Sequence, residues 1–211
     1  MAVATYKLSV DWSDNGDFLG TGEELSMSRV RSVRCSRGRD TASQLTGRST
    51  AGSLGCTLDN RSGDYNPFNG GSPIAGNILP GRAVRLLGSS DALTDRPIWR
   101  GFLRRVMPQP MISKDNVAIL EAIGALGHVN QDQIALAMQT SQRTDLLMGL
   151  IMDNAGWPAA DRSLDVGRTT ITRYWADRQY PLNAMQDVEG AEGGFLWETR
   201  DGKIGFKERR A

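Results

Sequence analysis

The sequence predicts a mainly β chain with a smaller α+β part: an antiparallel β-barrel or sandwich domain over residues 1–125, then a small α+β domain over 126–211. Three observations predict it. Up to about residue 120, short apolar runs with period-2 alternation are separated by Gly, Pro and Asn. Helix-spaced apolar positions appear only after Gly124. The chain then closes on two alternating runs around Asp201-Gly202.

The elements follow in order. Tyr6, Leu8 and Val10 alternate with Lys7 and Ser9, and Val33 and Cys35 flank Arg34. Leu54, Cys56 and Leu58 alternate with Gly55, Thr57 and Asp59. A long Gly/Pro/Asn loop ends in the sharp turn Leu79-Pro80-Gly81-Arg82, and Val84 and Leu86 restart the pattern. Ile98, Arg100 and Phe102 alternate with Trp99, Gly101 and Leu103, which puts Trp99 and Phe102 on opposite faces. Val117, Ile119 and Glu121 alternate with Ala118, Leu120 and Ala122. Some six short strands of this kind make a small barrel or sandwich.

The boundary falls in 124–131. Residues 141–156 read as a helix capped by Ser141 or Thr144, with a stripe of Leu146, Leu147, Leu150 and Ile151 and a stop at Gly156-Trp157-Pro158. Residues 169–175 read as a strand with Ile171, Arg173 and Trp175 on one face. Residues 181–189 read as a second helix, with Pro181 in its first turn, Leu182, Met185 and Val188 inward, and Gly190, Gly193 and Gly194 as breakers. Phe195, Trp197 and Thr199 then alternate with Leu196 and Glu198, a type I′ turn forms at Asp201-Gly202, and Ile204 and Phe206 complete a hairpin. No internal repeat occurs at solenoid periods.

With 211 residues, 39% hydrophobic and 23% charged, the chain reads as an ordinary soluble one. It has no apolar run of membrane-spanning length and no signal-peptide pattern at its start. Its 25 basic and 24 acidic side chains leave a formal charge of +1, which argues against sequence-specific nucleic-acid binding. Arg29, Arg31, Arg34, Arg37 and Arg39 cluster, as a charge-guarded strand edge or as a patch facing a subunit or DNA. Cys35 and Cys56 sit on the apolar phase of their strands, which reads as buried free thiols ahead of a bridge. No cofactor is expected.

Asp11, Ser13, Asn15 and Asp17 stand at positions 1, 3, 5 and 7 of a calcium-type loop, with Gly16 at position 6 for the bend. Position 12 is Gly22 rather than Glu, and the competing reading is an Asn15-Gly16 type I′ turn dressed with solvated acids. The single histidine, His128, lacks the nucleophile and orienting acid of a triad and reads as a linker residue. The acid pairs Glu23-Glu24, Asp187-Glu189 and Glu189-Glu192 read as solvated surface rather than as a glycosidase pair. No phosphate-binding loop is present. The loop through Asn66, Pro67, Phe68 and Pro73 is long and stiffened by two prolines, so it reads equally as a subunit clasp or as a surface Ω-loop.

The order LDN-x-x-G-x-YNP (58–67), then ILPGR-x-V-R-L (78–86), resembles the N-terminal region of tail-tip or baseplate hub proteins, the minor tail proteins of tailed bacteriophages and gene-transfer particles. YKLSVDWSDNGDF, VRCSRGRD (33–40), IWRGFLRRV (98–106), a helix ending in AGW, an LDxG stretch and a final DGKIGF hairpin fit the same family, so the resemblance covers nearly the whole chain. Members are usually longer, which makes this either a short member or an N-terminal piece.

The resemblance implies a structural virion protein, not an enzyme, assembled in the bacterial host cytoplasm and placed at the tail tip. Such proteins form a ring, usually a homotrimer, that closes the distal end of the tail tube. They contact the distal tail protein, the tape-measure protein and receptor-binding or fibre proteins. The expected interface anchors are Trp99, Trp157, Trp175, Tyr65, Pro67 and Phe68. The alternatives are a tail-associated cell-wall hydrolase or carbohydrate-binding module, and a calcium-dependent adhesion module.

Overall fold

Alternating side chains shape the N-terminal part. In the computed structural model, which describes residues 4–39, 48–90, 93–111 and 115–209, seven strands form one sheet. They are β1 (Thr5–Val10), β2 (Glu24–Leu25), β3 (Val30–Arg39), β4 (Ser49–Asp59), β5 (Ala83–Ser90), β6 (Leu93–Gln109) and β7 (Val117–Ile123). Their order is β2-β1-β5-β6-β7-β4-β3. Leu8 pairs with Leu86 and Leu86 with Trp99, while Cys56 pairs with Leu120 and Leu58 with Ala118, all in antiparallel register. These residues point to one side and form a single core with Val10, Leu25, Leu54, Val84, Leu103 and Ala122.

The sheet is curled. β2 and β3 stand at opposite ends of the order, yet only residues 26–29 separate them. Five extended steps from Leu25 to Val30 reach at most about 18 Å, whereas seven strands laid flat put their outer members about 29 Å apart. The two ends therefore approach each other around the core, in the manner of an open barrel. Trp12, Tyr65 and Ile74, from loops, complete that core.

Two compact units divide the chain: residues 1–36 with 53–124, and residues 37–52 with 125–211. The second holds α1 (Ala125–Val129), β8 (Ile134–Arg143), α2 (Thr144–Asn154), β9 (Arg162–Leu164), β10 (Thr170–Gln179), α3 (Pro181–Glu192), β11 (Phe195–Glu198) and β12 (Ile204–Lys207). β8 and β10 form an antiparallel two-stranded ribbon. β12 pairs antiparallel with β11 and parallel with β9. The mainly antiparallel β architecture with a small helical part is thus the one the alternation predicts.

Several local expectations are corrected. Cys35 is exposed and only Cys56 is buried, both as free thiols. The reason is position, since β3 is the last strand of the sheet and carries the arginine run along an edge. Within that run, Arg29 lies 2.5 Å from Asp64 and Arg31 2.5 Å from Asp115. The Arg39 side chain and Asp40 lie outside the described residues, as do Arg210 and Ala211.

β8 occupies a stretch that the sequence leaves unassigned up to residue 140 and reads as helix start from Ser141. The helix begins later, at Thr144, with Arg143 as N-cap and no side-chain cap bond. Its buried stripe is Leu147, Met148, Ile151 and Met152, rotated from the expected one so that Leu146 faces solvent. α3 runs through Gly190 to Glu192 and ends at left-handed Gly193. In the final hairpin Leu196 rather than Phe195 is buried. Thr199 N–H donates to the Lys203 carbonyl, closing a three-residue loop with Gly202 at φ 85°, which replaces the expected type I′ turn.

Candidate interaction surfaces

The loop between β1 and β2 turns its acids inward. Asp11 is buried, and its carboxylate accepts the N–H of Asn15 at 3.1 Å and of Gly16 at 2.8 Å. Glu23, also buried, accepts the Ser13 N–H at 3.0 Å, the Ser13 hydroxyl at 2.6 Å and the Gly20 N–H at 2.7 Å. Asn15 Oδ1 accepts the Asp17 N–H, and Asp17 Oδ1 accepts the Leu19 N–H. Within the calcium-type pattern, Asp11, Asn15 and Asp17 thus accept backbone N–H groups of the loop, and the Ser13 hydroxyl donates to Glu23. Among the described residues no three His, Cys, Asp or Glu side chains are grouped to hold a metal ion. Gly16 is left-handed but Asn15 is not, so the competing type I′ turn does not form. Phe18 is buried beneath the cross-strand pair Arg85 and Arg100, 4.2 and 5.9 Å from its ring centre.

The loop from Asn60 to Arg82 is a chain of turns. Backbone N–H groups of Gly63, Asn66, Asn69, Ser72 and Ala75 each donate to the carbonyl three residues back. Asn side chains reinforce them. Asn60 accepts from Tyr65 N–H, Asn66 from Phe68 N–H and Asn69 from Gly71 N–H, while Asn69 Nδ2 donates to Gly63 O. Tyr65 and Ile74 anchor the loop in the core. The tip holds Pro67 in solvent and presents Phe68 at 95% exposure.

On the second unit, one face of the β8–β10 ribbon buries Ile134, Leu136 and Ala176. The other exposes Met138 (59%) and Trp175 (61%). Between them lies an open, mostly apolar concavity of about 480 Å³, lined by residues 135–138 and 175–177.

The expected anchors therefore separate into two groups. Trp99 lies on the inward phase of β6, Tyr65 plugs the core, and Trp157 is buried with its indole N–H donating to the Asp161 carbonyl at 2.9 Å. These three are interior side chains and offer no surface. Pro67, Phe68 and Trp175 are exposed.

Sequence reasoning missed three buried glutamates in the second unit. Glu198 accepts the N–H of Gly52 at 2.9 Å and of Leu126 at 2.7 Å. Glu189 accepts the Leu196 N–H at 2.9 Å, and Ser49 Oγ donates to it at 3.4 Å. Glu192 accepts the Thr144 hydroxyl at 2.7 Å and the N–H groups of Thr169 and Arg168 at 2.9 and 3.2 Å. Glu23, Glu189 and Glu192, read as solvated acids, are thus corrected to buried ones that satisfy backbone donors. The missed signal is spacing: Met185, Val188, Glu189 and Glu192 lie on one helical face, and Glu198 shares the inward phase of Leu196.

Burial raises the Glu198 carboxyl above its ordinary value, opposed by the Leu126 and Gly52 N–H groups. Burial also raises Glu192, but the bonds from Thr144, Thr169 and Arg168 outweigh it and bring it down to about 2. His128 is half-buried on α1, edge-on to Trp157 at 6.3 Å and beside Gln131, and burial lowers its pKa.

No family model matches the sequence, and no curated protein matches it. Solved structures do. The 43 kDa tail protein of prophage MuSo2 from Shewanella oneidensis superposes with a TM-score of 0.58 at 11% identity, over 97% of this chain and 54% of that one. The tail protein from Neisseria meningitidis MC58 gives 0.60 at 12% identity, over 95% and 50%. The Escherichia coli c3393 protein gives 0.51 at 7% identity, over 100% and 47%; it is a type VI secretion component with structural similarity to the T4 tail proteins gp27 and gp5. The chain spans about half the length of these proteins. Identities this low establish a shared fold, which is that of phage tail proteins, as the order of sequence motifs implies. No helix of the described residues is long and apolar enough to cross a membrane.

Proposed function

We propose that this chain is a structural component of a phage tail tip or baseplate hub. It forms a ring, a homotrimer, at the distal end of the tail tube. There it joins the tube to the distal tail protein, the tape-measure protein and the receptor-binding or fibre proteins. The protein is assembled in the bacterial host cytoplasm and resides in the virion. The observation that carries this reading is the fold match, which runs through 95% or more of the chain in two tail proteins.

The role is mechanical rather than catalytic. In support, the acids that sequence pairs as Glu189 and Glu192 are occupied with backbone N–H groups and hydroxyls inside the second unit, not poised across a cleft. Exposed Phe68 and Trp175 supply apolar surface for assembly. Light scattering across a range of protein concentrations tests the ring. A discrete trimer is the expected result. A strict monomer at every concentration overturns it.

A further inference from the structure

We infer that Arg85 and Arg100, neighbours on the outer face of β5 and β6, form a clamp for one carboxylate of an acidic protein partner. The inference goes beyond the ring reading and does not depend on it. Val84, Leu86 and Trp99 point into the core, so the two arginines alternate outward. Three departures from ordinary packing meet there. Arg85 stands directly opposite Arg100 in the antiparallel register, and like charges placed so repel. The Arg85 Nε is buried without a hydrogen-bond partner. Phe18, packed under both guanidinium groups, holds φ 59°, a left-handed conformation that a bulky side chain rarely adopts. Backbone strain of this kind gathers at ligand clamps.

The described residues do not neutralise this pair. Neither guanidinium forms an ion pair or donates a hydrogen bond among them, whereas Arg82 lies 2.7 Å from Asp14 and Arg105 2.7 Å from Glu121. The field of Arg85 reaches Asp95, but that carboxylate is ion-paired with Lys7 at 3.1 Å. Edge protection does not account for the charges either, because β5 and β6 lie inside the strand order, unlike β3. Guanidinium groups present parallel N–H groups that fit a planar carboxylate. A nucleic-acid backbone calls instead for a track of free cations, and the flanking Lys7 and Arg82 are already paired with acids. The pair therefore suits a single acidic side chain. The loop beneath it is fixed by the Asp11 and Glu23 carboxylates, so the clamp is preformed and little freedom is lost on binding. Leu19, next to Phe18, is 82% exposed and adds apolar surface beside the clamp.

The test titrates the full chain with a capped tetraglutamate peptide at constant ionic strength and follows the arginine side-chain Nε–H signals by NMR. The Arg85 and Arg100 signals are expected to shift together and saturate. Arg100→Gln, at an exposed position, is expected to weaken binding about tenfold or more, as the loss of a charged hydrogen-bond donor does. Arg100→Lys keeps the charge but loses the planar fork, and it too should bind more weakly than wild type. Arg85→Gln serves as a second variant, with circular dichroism to confirm folding. Signals that stay in place, or variants that bind the peptide as tightly as wild type, overturn the clamp. An oligothymidylate of equal charge that binds the pair more tightly than the peptide overturns the protein partner in favour of nucleic acid. These outcomes leave the ring reading standing, since light scattering decides that separately.

Discussion

Glu198 accepts the N–H of Gly52 at 2.9 Å across 146 residues of sequence, and with its other oxygen it accepts the N–H of Leu126 at 2.7 Å. One buried carboxylate thus fastens the 37–52 segment to the start of α1 within the second unit. Glu198→Gln keeps the shape but turns one acceptor into a donor that faces an N–H. Losing one buried partner costs about 1–3 kcal/mol, so the urea midpoint falls at pH 7. Because the folded-state pKa is raised, the titration adds stability that is fully present below the unfolded value and is lost as pH rises through the folded one. Urea melts from pH 7 down through the carboxylate range are expected to widen the wild-type advantage over Glu198→Gln. A constant or shrinking gap would show that burial does not raise this carboxyl.

Glu192 titrates with the opposite sign. Its folded-state value of about 2 lies below the ordinary 4.5, so its contribution is present above 4.5 and is lost as pH falls toward about 2. The bonds concerned tie the first residue of α2 to the end of α3 and to the backbone at 168–169. Glu192→Gln is expected to cost about 1–3 kcal/mol at pH 7. Below pH 4.5 the wild type should lose this advantage, so that the two unfolding curves converge near pH 2. Curves that stay parallel throughout would contradict the hydrogen bonding described.

These glutamates also mark where the sequence was legible and where it was not. Leu54, Cys56 and Leu58 announce β4 because one of its faces is dry and the other is not. β8 announces itself poorly. Its inward pair stops at Ile134 and Leu136, Met138 breaks the alternation by pointing outward, and the run from Gln139 to Gln142 is polar. In α2, the run Leu146-Leu147-Met148 permits two phases, and only tertiary packing selects the one that buries Met148 and Met152. Buried acids escape a hydrophobicity reading altogether, since their burial depends on backbone donors from residues as distant as Gly52. Aromatic identity alone also failed to separate Phe68 from Tyr65, three residues away, because each turn of the loop exposes one and buries the other.

Trp99 and Trp175 make that distinction measurable. Trp99 is 2% exposed in the core of the first unit, whereas Trp175 is 61% exposed. Trp99→Ala should cost about 3–5 kcal/mol, the usual price of removing a buried aromatic. Trp175→Ala should stay within about 0.5 kcal/mol, as surface changes do. Urea unfolding at protein concentrations low enough to keep the chain monomeric separates folding from assembly. Equal costs at the two sites would refute the burial assignment.

The cysteines give the last prediction. Cys35 is exposed on the edge strand β3, while Cys56 is buried on the core-facing side of β4 and burial pushes its thiol up to about 12. Thiolate is the reactive form, and access and pKa together set the rate. At pH 8 a disulfide reagent such as dithiobis-nitrobenzoate should modify one thiol per native chain quickly, and both only in denaturant. Cys35→Ser should abolish the fast phase and leave stability nearly unchanged, since the side chain packs against little. Cys56→Ser should leave the fast phase intact but lower stability, because it puts a hydroxyl between Leu54 and Leu58 on the face of the strand that meets the core. Two fast thiols in the native chain would mean that the core does not cover Cys56.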